Sequence, residues 1–366
     1  MELYIVHSVK AMMPQGRYYR FFFNEKEIIM QKKSLFTGLT VLLLTGAVFM
    51  SCSKQKKAAV TDNSNIKVAA IFQTAIEEPW DGAIHTAMLQ AEKDGGITYE
   101  YTEKVDAANY EKVLREYCER GFKLIIGDAF GAGEDPVRKV AKDYPDVQFA
   151  FGSEQSEQGP NVSVFDNWIH EPAYLCGIIA GKMTKTGTLG VVAAMPIAEV
   201  NRLVNAYKAG AQSVNPAIKM KITYIGSFFD PAKAKEAAVS QIEAGADLIY
   251  AERFGVFEAA KEKGVYAFGN MTDQNSLAPD TVITSCVWNV YPIVQHEIEV
   301  VKSGKTEAVN LKDYSMYAEG GSSLAPFHQF ESTLPADVVQ LVKDTESKIA
   351  GGSLAVPVVE TELTSD

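Results

Sequence analysis

The chain has 366 residues, of which 47% are hydrophobic and 22% charged, a composition that excludes a disordered or fibrous protein. Its formal net charge of −11 argues against binding to nucleic acid, because an acidic surface repels phosphates. No phosphate-binding loop, nucleophile elbow, H-E-x-x-H pair or C-x-x-C pair occurs, so we predict neither an enzyme nor a metal or cofactor site. We expect Cys118, Cys176 and Cys286 to be buried apolar side chains, and their odd number argues against a disulfide framework.

The N-terminal part of the chain differs from the rest. A short basic segment, Met30-Gln-Lys-Lys33, precedes an apolar stretch over 35–50, an order typical of a secretory signal. The cysteine after Ser51 resembles a bacterial lipobox, which implies that Cys52 becomes a lipidated first residue carrying an acyl chain such as palmitate. An ordinary signal peptide with an incidental cysteine is the alternative. We predict a gene-model extension, a lipoprotein signal peptide and a polar tether over residues 1–29, 30–51 and 52–65, respectively.

From Ile66 onward, short apolar runs alternate with amphipathic stretches, as in doubly wound parallel sheets. Helical spacing occurs over 80–92 and 109–120, and Gly121 is a helix stop signal for the second. The predicted buried strands are 67–72, 123–126 and 147–151 in the first half, then 189–193, 222–225, 247–250 and 265–268 in the second.

The chain also contains an internal repeat. Segments 107–130 and 231–254 align without a gap. Each has an acid and a phenylalanine just beyond its predicted strand: Asp128 and Phe130 in the first, Glu252 and Phe254 in the second. The repeat predicts two similar lobes, and ligands bind beyond the carboxyl ends of parallel strands. The two phenylalanines could therefore sandwich a flat ring beside acids that accept its hydrogen bonds, or each could belong to the core.

Four further stretches resemble the basic membrane protein family of ABC-transporter solute-binding lipoproteins: Glu171–Gly181, Thr186–Val192, Asn205–Ala211 and Phe268–Gln274. The resemblance extends from Ile66 to about Leu354. It implies an α/β, type I periplasmic-binding-protein fold, in which two doubly wound parallel-sheet lobes joined by a three-strand hinge close on a solute. The expected division is 66–165 plus 284–318 for lobe 1, 166–283 plus 319–358 for lobe 2, and 359–366 for a tail.

Within the family, the chain resembles a purine-binding subgroup marked by Ile76–Trp80, Val164–Asn167 and Tyr250–Gly255. The resemblance implies a purine ligand, adenine being the best candidate. Trp80 is a stacking plate, which we favour, or a helix-start anchor. The pair Glu252-Arg253 faces the ligand or forms a salt bridge. The expected ligand-binding residues are Glu77, Trp80, Asp128, Phe130, Asp166, Asn167, Asn201, Glu252, Phe254 and Asn270; of these, Asp166 and Asn167 could instead serve the hinge.

One position departs from the nucleoside-binding relatives, which have Gly-Val-Asp where this chain has Gly269-Asn-Met271. In the resemblance that aspartate holds the ribose hydroxyls, so we expect a free nucleobase unless Asn270 or Asp273 substitutes. The expected function is capture of a purine for an ABC permease and ATPase by a receptor anchored to the cell membrane through Cys52 and facing the periplasm or the exterior. The alternative is a ligand-sensing or adhesion lipoprotein with the same fold and no transporter.

Overall fold

A computed structural model describes residues 65–130, 134–152 and 159–366, which belong to one compact unit. The predicted signal peptide and Cys52 lie outside the described residues. Within these ranges, no helix combines the length and the apolar composition that crossing a bilayer requires.

The first sheet consists of five parallel strands in the order β2-β1-β3-β4-β5. They are β1 (Ile66–Ile71), β2 (Ile97–Thr102), β3 (Leu124–Asp128), β4 (Gln148–Gly152) and β5 (Val162–Phe165). Alternate side chains of these strands enter two separate apolar clusters, so both faces of the sheet are buried. One face is covered by α1 (Pro79–Asp94) and α8 (Tyr291–Lys302), the other by α2 (Ala107–Glu119) and α3 (Glu134–Asp143).

The second sheet has six strands in the order β11-β10-β9-β8-β6-β7, all parallel except β11. They are β6 (Thr188–Ala193), β7 (Lys219–Tyr224), β8 (Leu248–Ala251), β9 (Tyr266–Gly269), β10 (Val282–Trp288) and β11 (Ser322–Leu324). This sheet is also buried on both faces. One face packs on α4 (His170–Met183), α5 (Ala198–Val214) and α9 (Ala336–Ala350), the other on α6 (Pro231–Glu243) and α7 (Val256–Lys263).

The chain passes between the sheets three times: between β5 and α4, between β10 and α8, and between Leu311 and β11. Leu311 still belongs to the first sheet, because its N–H donates to the Val164 carbonyl at 2.8 Å. The structure thus confirms two doubly wound lobes joined by three segments. Because β11 pairs with the end of β10, β10 stays in the second sheet through Trp288, beyond the change of lobe predicted at residue 284.

The internal repeat has the same backbone conformation in both lobes. At the end of α2, Gly121 N–H donates to the Cys118 carbonyl at 3.0 Å, and at the end of α6, Gly245 N–H donates to the Ile242 carbonyl at 2.9 Å. The two glycines have φ angles of 82° and 99°, which favour glycine over any L side chain. Each repeat therefore ends its helix and enters its strand, β3 or β8, by the same turn.

Helices α4 and α5 pack with their backbones in contact. A Cβ atom on Gly210 would lie 1.9 Å from the Tyr174 carbonyl oxygen, and one on Gly177 would lie 2.1 Å from the Tyr207 carbonyl oxygen. No side chain fits at either position, so the glycines are needed for this close approach. Because the cleft between the lobes is bordered by the start of α5, this packing also positions one wall of the cleft.

The C-terminal residues, predicted as a separate tail over 359–366, run along the outer edge of β7. Asp366 N–H donates to the Met220 carbonyl at 3.0 Å, and the Asp366 carboxylate accepts the Met220 N–H at 2.9 Å. The hydroxyl of Ser365 accepts the Ile222 N–H at 2.8 Å. The tail is therefore bonded to the second sheet.

Replacing Gly210 with Ala should lower the free energy of unfolding by about 3 kcal/mol, because the new methyl group overlaps the α4 backbone. Chemical denaturation monitored by circular dichroism measures the change. Gln212→Ala, on the same helix and half-buried, is the control and should change stability by less than about 0.5 kcal/mol. Equal stability of Gly210→Ala and the parent protein would contradict the backbone contact.

Candidate functional site

A cavity of about 180 Å³ lies in the cleft between the carboxyl ends of the two sheets. Its lining residues follow strands β1, β3, β6, β7 and β8, where a doubly wound sheet places its ligand. The first lobe contributes Gln73, Thr74, Glu78, Trp80, Asp128 and Phe130, and the second contributes Glu199, Phe228, Phe229 and Arg253. A smaller recess adjoins it and is bordered in addition by Glu252, Phe254, Asn270, Met271 and Gln274.

Two phenylalanines meet across the cleft, but they are not the pair that the repeat predicts. The ring of Phe130 contacts that of Phe228 edge to face, with centroids 5.0 Å apart. Phe254 is 41% exposed at the rim, where its ring stacks on Phe229 at 6.4 Å. Phe228 therefore takes the place opposite Phe130, because β7 ends beside the cavity and its following residues turn into it.

Trp80 is both a core residue and a lining residue. Its ring stacks on Phe165 with centroids 5.9 Å apart and packs against Trp288 at 5.1 Å. A Cβ atom on Gly152 would lie 1.9 Å from the indole, so glycine makes room for the ring. Only 9% of Trp80 is exposed, and it borders the cavity. Trp80 is therefore anchored in the core at the start of α1 and also reaches the cavity, while its stacking on a ligand stays a prediction.

Two carboxylates of the first lobe line the cavity, Glu78 and Asp128, and a third, Asp81, is buried near them. Glu78 caps α1 by accepting the N–H groups of Trp80 and Asp81 at 2.9 and 3.2 Å. Burial raises the pKa of Asp81 to about 6, although Thr74 donates to its carboxylate. Burial, with the nearby Asp81 charge, raises the pKa of Asp128 to about 7, and Asp128 accepts the Phe130 N–H at 2.8 Å. The wall is therefore rich in acceptors and partly protonated near neutral pH.

The second lobe adds two buried carboxylates. Burial raises the pKa of Glu199 to about 8, and its Oε1 accepts a hydrogen bond from Asn167 Nδ2 at 2.5 Å. Glu252 forms an ion pair with Arg253 at 2.6 Å and also accepts the Ala194 N–H. The Arg253 guanidinium lies 5.5 Å from the Phe228 ring. Glu252 and Arg253 thus form a salt bridge within one lobe while both border the cleft.

Several predicted ligand residues lie behind the cavity, where they hold other groups. Asp166 forms an ion pair with Arg202 at 2.5 Å, and Asn167 is fully buried against Glu199. Asn201 donates to the Glu360 carbonyl and accepts the Tyr224 hydroxyl proton. Neither cavity is lined by Asp166, Asn167 or Asn201.

The adjoining recess contains Asn270 and Met271, the segment for which the sequence predicts a difference from nucleoside-binding proteins. Asn270 accepts the Tyr250 hydroxyl proton at 2.7 Å and donates to the Glu252 carbonyl at 3.2 Å. Met271 is 2% exposed, has a φ of 70°, and its sulfur lies 3.4 Å from Asn167 Nδ2. Asp273 pairs with His328 at 2.8 Å, outside both cavities.

The structure gathers six of the ten predicted residues at the cleft: Trp80, Asp128, Phe130, Glu252, Phe254 and Asn270. Glu77 is exposed, and its neighbour Glu78 borders the cavity instead. Pro79 could have indicated this choice, because proline favours the first helical turn and makes Glu78 the cap. Glu199 and the Phe228-Phe229 pair are lining residues that the sequence reasoning missed, although each follows a predicted strand.

Two lobes that place aromatic rings and carboxylates around a shared cleft define a small-molecule binding protein. An ABC transporter solute-binding protein from Conexibacter woesei has a similar structure, with a TM-score of 0.67 and 24% identity over 81% of this chain and 100% of that one. This similarity and the sheet topology confirm the type I periplasmic-binding-protein fold. In the described residues, no three His, Cys, Asp or Glu side chains are grouped to hold a metal ion.

The chain belongs to the Bmp family, described as ABC transporter substrate-binding protein PnrA-like, whose model matches residues 66–316. A purine-binding protein of Brucella abortus is 33% identical over 68% of this chain and 69% of its own length. A Haloferax volcanii protein named for ABC-transporter glucose binding is 35% identical, over 68% of this chain and 64% of its own length. A nucleoside-binding protein of Lactococcus lactis is 27% identical over 82% of this chain and 89% of its own length. Membership implies an extracytoplasmic protein with a small-molecule ligand and with permease and ATPase partners.

The raised pKa values of Asp128 and Glu199 make ligand-free stability depend on pH. Between the ordinary carboxyl range and about pH 7 for Asp128 or 8 for Glu199, the folded protein binds more protons than the unfolded chain, so each group's contribution falls as pH rises. The free energy of unfolding of Asp128→Asn, relative to that of the parent protein, should therefore increase between pH 5 and 8, by up to ~1.4 kcal/mol per pH unit.

Urea denaturation at pH 5, 6, 7 and 8 measures this difference between Asp128→Asn and the parent protein. Asp344→Asn, an exposed aspartate on α9, is the control and should keep a constant difference. A constant difference for Asp128→Asn as well would contradict the raised pKa of Asp128.

Proposed function

We propose that this protein captures a purine nucleobase, with adenine the best candidate, in the cleft and delivers it to an ABC permease and ATPase without chemical change. The observation that carries the proposal is the cavity itself, in which aromatic rings and carboxylates from both lobes border one small space. A planar heterocycle with several N–H groups matches such a lining better than a sugar does.

The aromatic residues support a flat ligand. Phe130 from the first lobe and Phe228 from the second border the same cavity, and Trp80 adds a third ring. The faces and edges of these rings offer stacking area, which a planar base uses more fully than a puckered sugar. Since Phe130 and Phe228 already touch, we propose that the ligand enters between them when the lobes open and is held there on closure.

The carboxylates support a ligand that carries hydrogen-bond donors. Adenine has an exocyclic amine and a ring N–H, and Glu78 and Asp128 can accept from such groups. Because the pKa values of Asp128 and Glu199 are raised to about 7 and 8, each carboxyl can also be protonated and donate to a ring nitrogen. The cavity therefore offers both halves of the hydrogen-bond pattern along a purine edge.

The recess supports a free base over a nucleoside. Met271 brings an apolar side chain to the position where the family resemblance implies a ribose-binding aspartate in nucleoside-binding members. Both alternatives considered for holding a ribose are occupied, since Asn270 bonds Tyr250 and Glu252, and Asp273 pairs with His328. Ribose hydroxyls would therefore lack a carboxylate partner at this position.

We further propose that the mature chain is tethered through a lipid on Cys52, with the extension, signal and tether as expected from the sequence. Mass spectrometry of the membrane-extracted protein should find an acylated N-terminal Cys52. Recovery of peptides from residues 1–29 in the mature protein would overturn this part of the proposal.

The ligand class can be tested directly by thermal-shift screening of the protein against nucleobases, nucleosides, sugars and amino acids. Adenine should raise the melting temperature, with isothermal titration calorimetry giving a stoichiometry of one. Stabilisation by glucose or an amino acid alone would overturn the purine assignment, and turnover of the ligand would overturn the transport role.

Phe228→Ala should weaken adenine binding by ~1–3 kcal/mol, because it removes one stacking surface from the cavity. Calorimetric titration measures the loss. Tyr266→Ala is the control, since Tyr266 is 40% exposed and lies outside both cavities. Unchanged affinity in Phe228→Ala would remove Phe228 from the binding surface.

Adenine should bind at least about tenfold more tightly than adenosine, a difference of ~1.4 kcal/mol, because a ribose would leave its hydroxyls unpaired beside Met271. Competition between the two compounds in one calorimetric titration gives the ratio. Tighter binding of adenosine would show that another residue holds the sugar.

A further inference from the structure

Two cysteines from distant parts of the chain meet in the core of the second lobe. The sulfur atoms of Cys176 on α4 and Cys286 on β10 lie 3.6 Å apart, although the residues are separated by 110 positions. Both side chains are fully buried. The third described cysteine, Cys118, packs in the apolar cluster between the first sheet and helices α2 and α3, and it is not part of this pair.

We propose that Cys176 and Cys286 form a disulfide when the chain folds outside the cytoplasm. A disulfide bond is about 2.05 Å long, so the sulfurs need to approach by roughly 1.5 Å, a movement within reach of side-chain rotation and a small shift of α4 on β10. Membership of an extracytoplasmic family places the folded protein where such bonds persist. The odd number of cysteines after Cys52 is no obstacle, because Cys118 is left alone in the other lobe.

The bond forms by thiol–disulfide exchange with an external disulfide. The thiolate of one cysteine attacks the external disulfide, which gives a mixed disulfide and releases one external thiolate. The second cysteine then attacks the protein sulfur of the mixed disulfide and releases the second thiolate. Two electrons pass from the protein to the external disulfide, and the two cysteine protons end on the released thiols.

Burial fixes when this reaction occurs. Burial, with Cys286 beside it, raises the pKa of Cys176 well above the ordinary thiol value, and no solvent reaches either sulfur in the folded protein. An external disulfide therefore reaches them only before α4 docks on β10. The two cysteines should therefore be oxidised during folding, and their thiols in the reduced native protein should react slowly.

The position of the pair links it to the hinge and the cleft. Helix α4 follows the first crossing, and β10 leads into the second, so the bond would join the two crossings at the level of the lobe 2 core. Tyr250 belongs to the same buried cluster as both cysteines, and its hydroxyl donates to Asn270 at the recess. The bond would thus hold the floor beneath the proposed ligand site.

The test is refolding of the reduced, denatured chain from residue 53 onward, which lacks the proposed lipidation residue Cys52, in a mixture of oxidised and reduced glutathione, followed by blocking with N-ethylmaleimide. Trypsin would release Cys176 in residues 143–182, Cys286 in 264–302 and Cys118 in 116–120. We expect mass spectrometry to find 143–182 joined to 264–302, and Cys118 blocked as a free thiol. Blocked Cys176 and Cys286, or equally frequent links to Cys118, would overturn the proposal.

A second measurement does not depend on how well a variant folds. The melting temperature of the protein refolded with glutathione should exceed that of the protein refolded with a reductant by roughly 5 °C, since the bond closes a long loop. Cys176→Ala should show the same temperature under both conditions, while Cys118→Ala should keep the difference. Loss of the difference only in Cys118→Ala would contradict the assignment. Neither measurement involves a ligand, so failure here is separate from failure of the proposed function.

Discussion

The buried guanidinium of Arg202 connects three parts of the protein that are distant in the sequence. Its side chain is 2% exposed, so its charge has to be balanced inside the protein. Asp166 of the first crossing lies 2.5 Å away and Glu360 of the C-terminal tail 3.3 Å away. The guanidinium also lies 3.9 Å from the Trp168 ring, whose π system adds to the attraction. Without these partners, the positive charge of Arg202 would be buried and uncompensated where the lobes join.

The same interaction reaches the cleft through the neighbouring residue. Asn167 directly follows Asp166 and holds Glu199, so a hinge fixed by Arg202 also fixes one acceptor of the cavity. The cavity is bordered by three acids, Glu78, Asp128 and Glu199, and by one cation, Arg253. Arg253 is already paired with Glu252, so it does not balance these acids. Burial raises the pKa values of these acids, so protonation reduces the excess of negative charge. In the proposed function, the remaining oxygens accept hydrogen bonds from the ligand. The hinge and one wall of the cavity therefore rest on one connected polar network.

The sequence predicted the lobes well because strands and repeats are local patterns. The apolar runs 189–193 and 265–268, for example, became β6 (Thr188–Ala193) and β9 (Tyr266–Gly269). Individual site residues were harder, because their roles depend on side-chain direction and on contacts across the lobes. Glu77 and Glu78 are adjacent in the sequence, but only the helix start decides which one borders the cavity. Asn201 was predicted as a ligand-binding residue, yet its amide donates to the Glu360 carbonyl of the C-terminal tail, a contact that no local sequence pattern shows.

The C-terminal tail has a consequence for how the second sheet meets other molecules. Strand β7 forms one border of the second sheet, and β11 forms the other. The tail bonds to β7 through Ser365 and Asp366, so the border formed by β7 is covered by the C-terminal residues. An open border exposes unpaired backbone groups to other chains. Docking of the tail therefore pairs backbone groups of β7 that another chain could otherwise bind, so protection of this edge depends on residues far away in the sequence.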